Sequence, residues 1–112
     1  MSKVRVLLAD DHETIQARVR SILCEAFEVV GAVGNGRDAI REVGRLDPDV
    51  LVIDISMPVM DGLQAASQLH RKGCRTKVVF LTVHEDQDYV DAAMAAGASG
   101  YVTKSHLTSD LV

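Results

Sequence analysis

The sequence is poor in cysteine and contains no long apolar segment. Its two cysteines, Cys24 and Cys74, lie far apart and lack the spacing of a metal-binding or redox motif. The four histidines are also scattered, so we predict no zinc site. No apolar run approaches the roughly 18 residues of a membrane-spanning helix, and the N-terminus lacks the small-residue cleavage site of a signal peptide. These absences predict a cytoplasmic protein that does not enter a membrane.

Positive charge is scarce as well. Lys and Arg total 12 against 16 Asp and Glu, which gives a net charge of −4. An acidic balance disfavours contact with the phosphate backbone, so this segment is not expected to bind nucleic acid by itself. Arg37, Arg41 and Arg45 recur at helical spacing, which predicts a solvated helix face. A chain of 112 residues is long enough for one domain and too short for two.

Strand-like and helix-like segments alternate along the chain. Apolar and β-branched residues predict strands over residues 4–9, 27–33, 49–54, 77–82 and 99–103. The segments between them have helical periodicity, and the apolar face of the first predicted helix runs from Ile15 to Ala26. Apolar strands separated by helices predict an α/β fold with a parallel sheet covered on both faces. Residues 105–112 begin a fifth helix that looks cut off, so we expect a truncated piece of a longer protein.

Polar side chains follow the predicted strands at the points where they end. Asp10 and Asp11 follow the first strand, Asp54 ends the third, Thr82 ends the fourth and Lys104 follows the fifth. Each has an ordinary explanation alone: either Asp10 or Asp11 could cap a helix, and Asp54 could begin a turn. In an open parallel sheet, however, ligands bind at the carboxyl ends of the strands, near the switch in strand order. We therefore expect these side chains to converge.

Converging carboxylates favour a cation and a phosphoryl group at this edge. Two carboxylates about 4 Å apart repel by roughly 4 kcal/mol at a surface-like dielectric constant. Mg²⁺ binds one or two carboxylates, keeps several waters and bridges to phosphate oxygens. The hydroxyl of Thr82 and the ammonium of Lys104 suit phosphoryl oxygens, and a carboxylate can accept a phosphoryl group covalently. The cluster therefore favours metal-assisted phosphoryl transfer.

These residues and their flanking motifs resemble the receiver domain of bacterial two-component response regulators. The matching segments are Asp10-Asp11, Asp54 in DISMPVMDG, Thr82 in FLTVH and Lys104 in GYVTKS, and they extend over essentially the whole chain. LTVHED, AGASGYVTKS and the non-proline residue after the lysine are most similar to the LuxR/NarL/FixJ-type subfamily. The resemblance implies a flavodoxin-like (CheY-like) doubly wound sheet of five parallel strands in the order 2-1-3-4-5. It also implies one receiver domain over residues 1–112, with an incomplete fifth helix and no effector domain.

The resemblance implies a role for each acidic residue of the site. Asp54 would be the phosphoacceptor, which attacks a phosphohistidine on a partner protein. Asp11 would bind Mg²⁺ or Mn²⁺ directly, and Asp10 would assist through water. Asp54 and the backbone carbonyl of Ser56 would complete the protein ligands of the metal.

Other residues would recognise the phosphoryl group or respond to it. Thr82 would donate a hydrogen bond to the phosphoryl group, and Lys104 would form an ion pair with it. Tyr101 matches the aromatic switch position of the family, whose ring turns inward as Thr82 moves; a half-buried strand aromatic is the plainer alternative. Ser56 and His84 follow Asp54 and Thr82 by two positions each, and we hypothesise that they tune the rate of dephosphorylation. His84 could equally be an ordinary surface loop residue.

The implied function is signalling rather than enzymatic turnover. A histidine kinase or phosphotransfer protein would donate the phosphoryl group. The face formed by the fourth helix, the fifth strand and the fifth helix would carry the change to an output, expected to be a helix-turn-helix domain absent from this sequence. DNA would be contacted only through that domain, and a homodimer on phosphorylation is a further possibility.

Three other classes of protein remain as alternatives. One is a receiver-like interaction module that is never phosphorylated. Another is a haloacid-dehalogenase-like phosphatase, although those enzymes place the nucleophile after the first strand in an Asp-x-Asp pattern, whereas here the acids Asp10 and Asp11 are adjacent. A nucleotide-binding domain is less favoured, because its glycine fingerprint belongs where this chain has acids.

Overall fold

Five strands alternate with four helices in the computed structural model, which describes residues 3–55, 57–82 and 87–103. The strands are β1 (Val4–Ala9), β2 (Phe27–Val33), β3 (Val50–Ile53), β4 (Lys77–Thr82) and β5 (Gly100–Thr103). The helices are α1 (Glu13–Leu23), α2 (Gly36–Leu46), α3 (Gly62–Arg71) and α4 (Gln87–Ala95). The alternation predicted from the sequence is confirmed. The predicted fifth helix at 105–112 lies outside the described residues.

The strands form one parallel sheet in the order β2-β1-β3-β4-β5. This order confirms the flavodoxin-like arrangement. The chain passes from β1 outward to β2 and then returns to β3 on the other side of β1. The carboxyl ends of β1 and β3 therefore meet at the switch in strand order, where sheets of this type bind ligands.

The core is divided by the sheet into two apolar layers. One layer joins sheet residues such as Leu7, Leu51 and Phe80 to α2, α3 and α4. The other joins Val6, Leu8, Val52, Leu81 and Val102 to Val19 and Leu23 of α1. Successive strand residues enter opposite layers because side chains alternate across a strand. Helices on both faces explain why the strands are apolar throughout.

The first helix is shorter than its sequence pattern predicts. We expected its apolar face to include Ala26, but α1 ends at Leu23, and Ala26 is exposed in the turn that follows. Val4 of β1 pairs with Phe27 of β2, so the chain must leave the helix in time to begin the edge strand. Register in the sheet therefore overrides the last apolar position of the helical pattern.

The arginine face of α2 is exposed, as predicted. The side chains of Arg41 and Arg45 are 64% and 67% exposed, and they form ion pairs with Asp38 and Glu42 at 3.1 and 2.7 Å. The hydrogen bond from Arg45 holds the pKa of Glu42 below its ordinary value of 4.5. This pair stabilises the fold above that ordinary pKa, and the contribution is lost as the pH falls through the lowered one. At such exposure the contribution is small.

Among the described helices, none has the length and apolar character that crossing a bilayer demands.

Candidate metal centre at the sheet edge

Four side chains converge where β1 and β3 end. One ligand atom from each of Asp10, Asp11, His12 and Asp54 lies within 4.8 Å of the others. Asp10 and Asp54 are buried, with 0% and 4% of their surface exposed. The side chains of Asp11 and His12 are 31% and 62% exposed. The site therefore has a buried floor of two carboxylates and an accessible rim.

Sheet pairing explains why Asp10 and Asp54 lie side by side. Ala9 of β1 pairs with Ile53 of β3, and the backbone N–H of Asp54 donates to the carbonyl of Ala9 at 2.9 Å. On the other side, the N–H of Asp10 donates to the carbonyl of Val33 at 3.0 Å. Both acids thus leave the sheet one residue after a paired strand residue. Their backbone positions are determined by the sheet and not by a mobile loop.

The start of α1 determines the position of the second acid and the histidine. His12, and neither Asp10 nor Asp11, is the N-cap residue, and its side chain makes no capping hydrogen bond. Instead, the backbone N–H of His12 donates to Oδ1 of Asp10 at 2.8 Å. The amide of Gln16, one turn into the helix, donates to the carbonyls of Asp10 and Val33. These bonds tie the helix start to the ends of β1 and β2.

The loop after Asp54 returns closely to the strand it left. The backbone N–H of Gly62 donates to the carbonyl of Ile55 at 2.7 Å, and a Cβ at Gly62 would collide with the carbonyl oxygen of Asp54. Asp61 caps α3 in a reciprocal capping box with Gln64. The sequence predicted a turn at Asp61-Gly62; the structure shows that it places the start of α3 directly against the Asp54 backbone.

Val59 in the same loop has an unusual backbone. Its φ is 68°, a left-handed conformation that is rare for a β-branched residue, and 71% of its surface is exposed. This conformation costs about 1–2 kcal/mol. The loop is therefore held in shape by its neighbours, including the hydrogen bond of 2.8 Å from the N–H of Gly36 to the carbonyl of Met60.

The donor set fits a hard divalent cation. Three carboxylates within this short range repel one another, and Mg²⁺ prefers carboxylate oxygens and retained waters. The exposed rim leaves room for the water and phosphate oxygens that complete its coordination. The predicted residues Asp10, Asp11 and Asp54 are thus brought together. The backbone carbonyl of Ser56, the fourth predicted ligand, lies outside the described residues.

Of the other predicted site residues, Thr82 and Tyr101 lie within the described part of the chain. Thr82 ends β4, beside β3, and is fully buried. Tyr101 of β5 is partly buried and packs against the core layer of α2, α3 and α4. Its registry partner is Phe80 of β4, and Thr82 pairs with Thr103. Lys104 and His84 lie outside the described residues.

The sequence did not indicate His12 as part of the site. Its ring Nδ1 lies 3.0 Å from Oδ1 of Asp11 and 3.2 Å from Oδ1 of Asp10. The four histidines are scattered along the chain, so their spacing does not point to His12. The available signal was that His12 directly follows the two acids that were already singled out.

A cavity of about 560 Å³ opens beside the acidic cluster. Its lining is largely apolar, with Ile55, Met57, Leu63 and Tyr89, and it reaches the carboxylate of Asp11. A molecule that approaches the rim therefore meets both an apolar wall and an acidic group.

The family follows from a match over nearly the whole chain. Residues 6–112 match the family described as the response regulator receiver domain. The chain belongs to this family. As a receiver domain it is a signalling domain of two-component systems, so the resemblance predicted from the motifs is confirmed.

Curated relatives are of the same type. The chain is 37% identical over 110 residues to the uncharacterized transcriptional regulatory protein YvfU of Bacillus subtilis, covering 96% of this chain and 55% of that protein. It is 36% identical over 111 residues to the response regulator UvrY of Escherichia coli, covering 97% of this chain and 51% of the relative. The chain thus spans about half the length of these relatives.

Solved structures agree on the fold and the subfamily. The receiver domain of the putative response regulator NarL from Mycobacterium tuberculosis is 29% identical with a TM-score of 0.92, over 99% of this chain and 94% of that one. A LuxR-family two-component response regulator from Aurantimonas is 28% identical with a TM-score of 0.92, over 98% and 80%. The predicted likeness to LuxR/NarL-type receivers is confirmed.

Proposed function

We propose that this receiver domain accepts a phosphoryl group on Asp54 from a phosphohistidine of a histidine kinase or phosphotransfer protein. The observation that carries the proposal is the convergence of Asp10, Asp11 and Asp54 at the carboxyl edge of β1 and β3. Asp54 is held by the sheet, and the rim beside it is open. A nucleophile, a cation site and an approach are therefore present together.

The transfer makes one bond and breaks one. An oxygen of the Asp54 carboxylate attacks phosphorus, the phosphorus–nitrogen bond to the donor imidazole breaks, and the imidazole leaves with the electron pair and takes up a proton. Mg²⁺ or Mn²⁺, held by Asp10, Asp11, Asp54 and the Ser56 carbonyl, would supply positive charge that offsets the phosphoryl oxygens. The fixed backbone of Asp54 supplies the positioning that this chemistry mainly requires.

The remaining site residues act on the phosphoryl group after transfer. Thr82, at the end of the neighbouring strand, donates a hydrogen bond to it, and Lys104 pairs with its charge. The change passes to Tyr101 through the pairing of β4 with β5 and reaches the face formed by α4, β5 and the predicted fifth helix. Ser56 and His84 set the dephosphorylation rate.

The output of the proposed switch is transcriptional. Relatives of twice this length carry names such as transcriptional regulatory protein, and the matching structures include LuxR-family regulators. We propose that a helix-turn-helix domain beyond the present sequence contacts DNA, and that phosphorylation favours a homodimer. A cytoplasmic location stays a prediction.

The direct test is phosphorylation with a small donor. The protein is incubated with acetyl phosphate and Mg²⁺, and its intact mass is measured. We expect a gain of one phosphoryl group that is lost in Asp54→Asn and after removal of Mg²⁺. Asp88→Asn, an exposed acid in the first turn of α4, is the matched control and should be phosphorylated like the wild type.

Other outcomes identify the alternatives. Repeated turnover of acetyl phosphate would indicate a phosphatase, and an unchanged mass with no turnover would indicate an interaction module that is not phosphorylated. Either result would overturn the proposal. A mass gain that persists in Asp54→Asn would place the phosphoryl group on another residue.

A further inference from the structure

The ring of His12 lies among the acidic ligands of the proposed metal site. Its Nδ1 is 3.0 Å from Oδ1 of Asp11 and 3.2 Å from Oδ1 of Asp10. The ligand atoms of these three residues and of Asp54 all lie within 4.8 Å of one another. The His12 ring therefore belongs to the same cluster of possible ligands as the three carboxylates.

In the structure these contacts are a hydrogen bond and ion pairs of the His12 ring, and the same separations also suit neighbouring ligands on one ion. Protein ligands bind small divalent metals at about 2.0–2.2 Å. Two ligands at a right angle around the ion then lie about 3 Å apart, which follows from the same bond lengths. The distances from His12 to both acids agree with this value, so the ring needs little movement to share an ion with them.

The position of His12 is determined by its backbone. Oδ1 of Asp10 accepts a hydrogen bond of 2.8 Å from the His12 N–H, and His12 is the N-cap residue of α1. The imidazole is therefore attached at a defined point beside the acids. When the neutral ring carries its proton on Nε2, Nδ1 can donate its lone pair to a metal.

We propose that Nδ1 of His12 is a ligand of the ion held by Asp10, Asp11 and Asp54, and that it directs the site toward transition metals such as Co²⁺ and Zn²⁺. This rests on the metal site of the proposed function. Carboxylate oxygens suit Mg²⁺, whereas imidazole favours the later first-row ions. One nitrogen among three carboxylates therefore raises affinity for Co²⁺ and Zn²⁺ more than for Mg²⁺.

The first test compares metal affinities by calorimetric titration. Mg²⁺, Co²⁺ and Zn²⁺ are titrated into the wild type, His12→Gln and His70→Gln. Loss of a partner outside the ligand shell already lowers metal affinity about 10–100-fold, so loss of a direct ligand should weaken Co²⁺ and Zn²⁺ binding by at least about tenfold. Mg²⁺ binding should weaken far less than Co²⁺ and Zn²⁺ binding, because imidazole favours the later first-row ions over Mg²⁺. His70→Gln, an exposed histidine at the end of α3, should match the wild type for all three ions.

The second test observes the coordinated ring directly. In the Co²⁺ form, a histidine bound through Nδ1 keeps an exchangeable Nε2 proton whose NMR signal is shifted far outside the normal range by the paramagnetic ion. We expect this signal in the wild type and in His70→Gln, and its loss in ²H₂O and in His12→Gln.

The outcomes separate the inference from the proposed function. If Co²⁺ binds, Asp11→Asn prevents binding, and no shifted signal appears, the metal site stands and the His12 ligand is wrong. An equal loss of Mg²⁺, Co²⁺ and Zn²⁺ affinity in His12→Gln would make His12 a positioning residue and would also overturn the inference. If the wild type binds none of the three ions, the metal site of the proposed function fails and the inference fails with it.

Discussion

At the scale of one residue, Gly62 lets the start of α3 pack directly against the backbone of Asp54. Its N–H bonds to Ile55, and a side chain would meet the backbone carbonyl of Asp54. Backbone cannot move aside as the end of a flexible side chain can. Gly44 in α2 is the opposite case, since a Cβ there would have nothing within 4 Å.

The two glycines give a matched prediction. Gly62→Ala should lower the free energy of unfolding by about 3 kcal/mol, the upper end of the range for overpacking. Gly44→Ala should raise it by about 0.5–1 kcal/mol, because alanine favours an exposed helix interior. Urea unfolding measures both. Equal effects of the two substitutions would contradict the close approach of Gly62 to Asp54.

Also at the scale of one residue, the sequence does not predict that the ring of His12 lies beside Asp10 and Asp11. Scattered histidines are an adequate reason to predict no zinc site with four histidine or cysteine ligands. They do not exclude one imidazole that joins carboxylates already expected to converge. Its proximity depends on the side-chain direction at the start of α1, which periodicity does not specify.

At the scale of elements, the start of α3 is held by two local hydrogen bonds. The side chain of Asp61 accepts from the N–H of Gln64 at 2.8 Å, and the side chain of Gln64 accepts from the N–H of Asp61 at 3.2 Å. Each bond satisfies a backbone donor that the helix leaves open.

This reciprocity predicts coupled effects. Asp61→Ala should lower the free energy of unfolding by about 1 kcal/mol, as expected for the loss of an N-cap residue. Gln64→Ala should cost less. The double variant should lose less than the sum of the single losses, because each substitution weakens the same helix start. Chemical denaturation of all four proteins measures the coupling, and strict additivity would argue against a working capping box.

The elements themselves were largely predictable. Strands buried on both faces read as continuous apolar runs, and helices that cover a sheet show one apolar face. The end of α1 at Leu23 was not predictable from the same pattern, because the register of β2 on β1 decides where the chain must turn. The spacing of apolar residues within one helix carries no information about how two distant strands pair.

At the scale of the whole molecule, β4 and β5 connect Thr82 at the site to the core layer that contains α4. Thr82 pairs with Thr103, and Phe80 pairs with Tyr101, which packs into the same core layer as Ala93 of α4. A change at Thr82 therefore has a continuous packed route toward α4 and β5. Packed layers tend to respond in discrete rearrangements.

Phosphorylation should therefore be detected far from Asp54. We expect NMR shift changes that extend through residues 89–103 when the wild type is treated with acetyl phosphate and Mg²⁺. A phosphoryl group of charge about −2 replaces one carboxylate charge and attracts Thr82 and Lys104. Asp54→Asn under the same conditions is the control and should show no such changes. Shifts confined to residues that touch Asp54 would contradict the proposed switch.

The sequence by itself determined the alternation of strands and helices, the parallel sheet and the family, together with the acids expected to meet at its edge. These follow from local periodicity and from motifs short enough to be recognised along the chain. Only the tertiary structure decided that Asp10 and Asp54 form the buried floor, that Gly62 lies against the Asp54 backbone and that the ring of His12 lies beside Asp10 and Asp11. Those facts depend on strand register, loop path and side-chain direction, which arise when distant segments pack together.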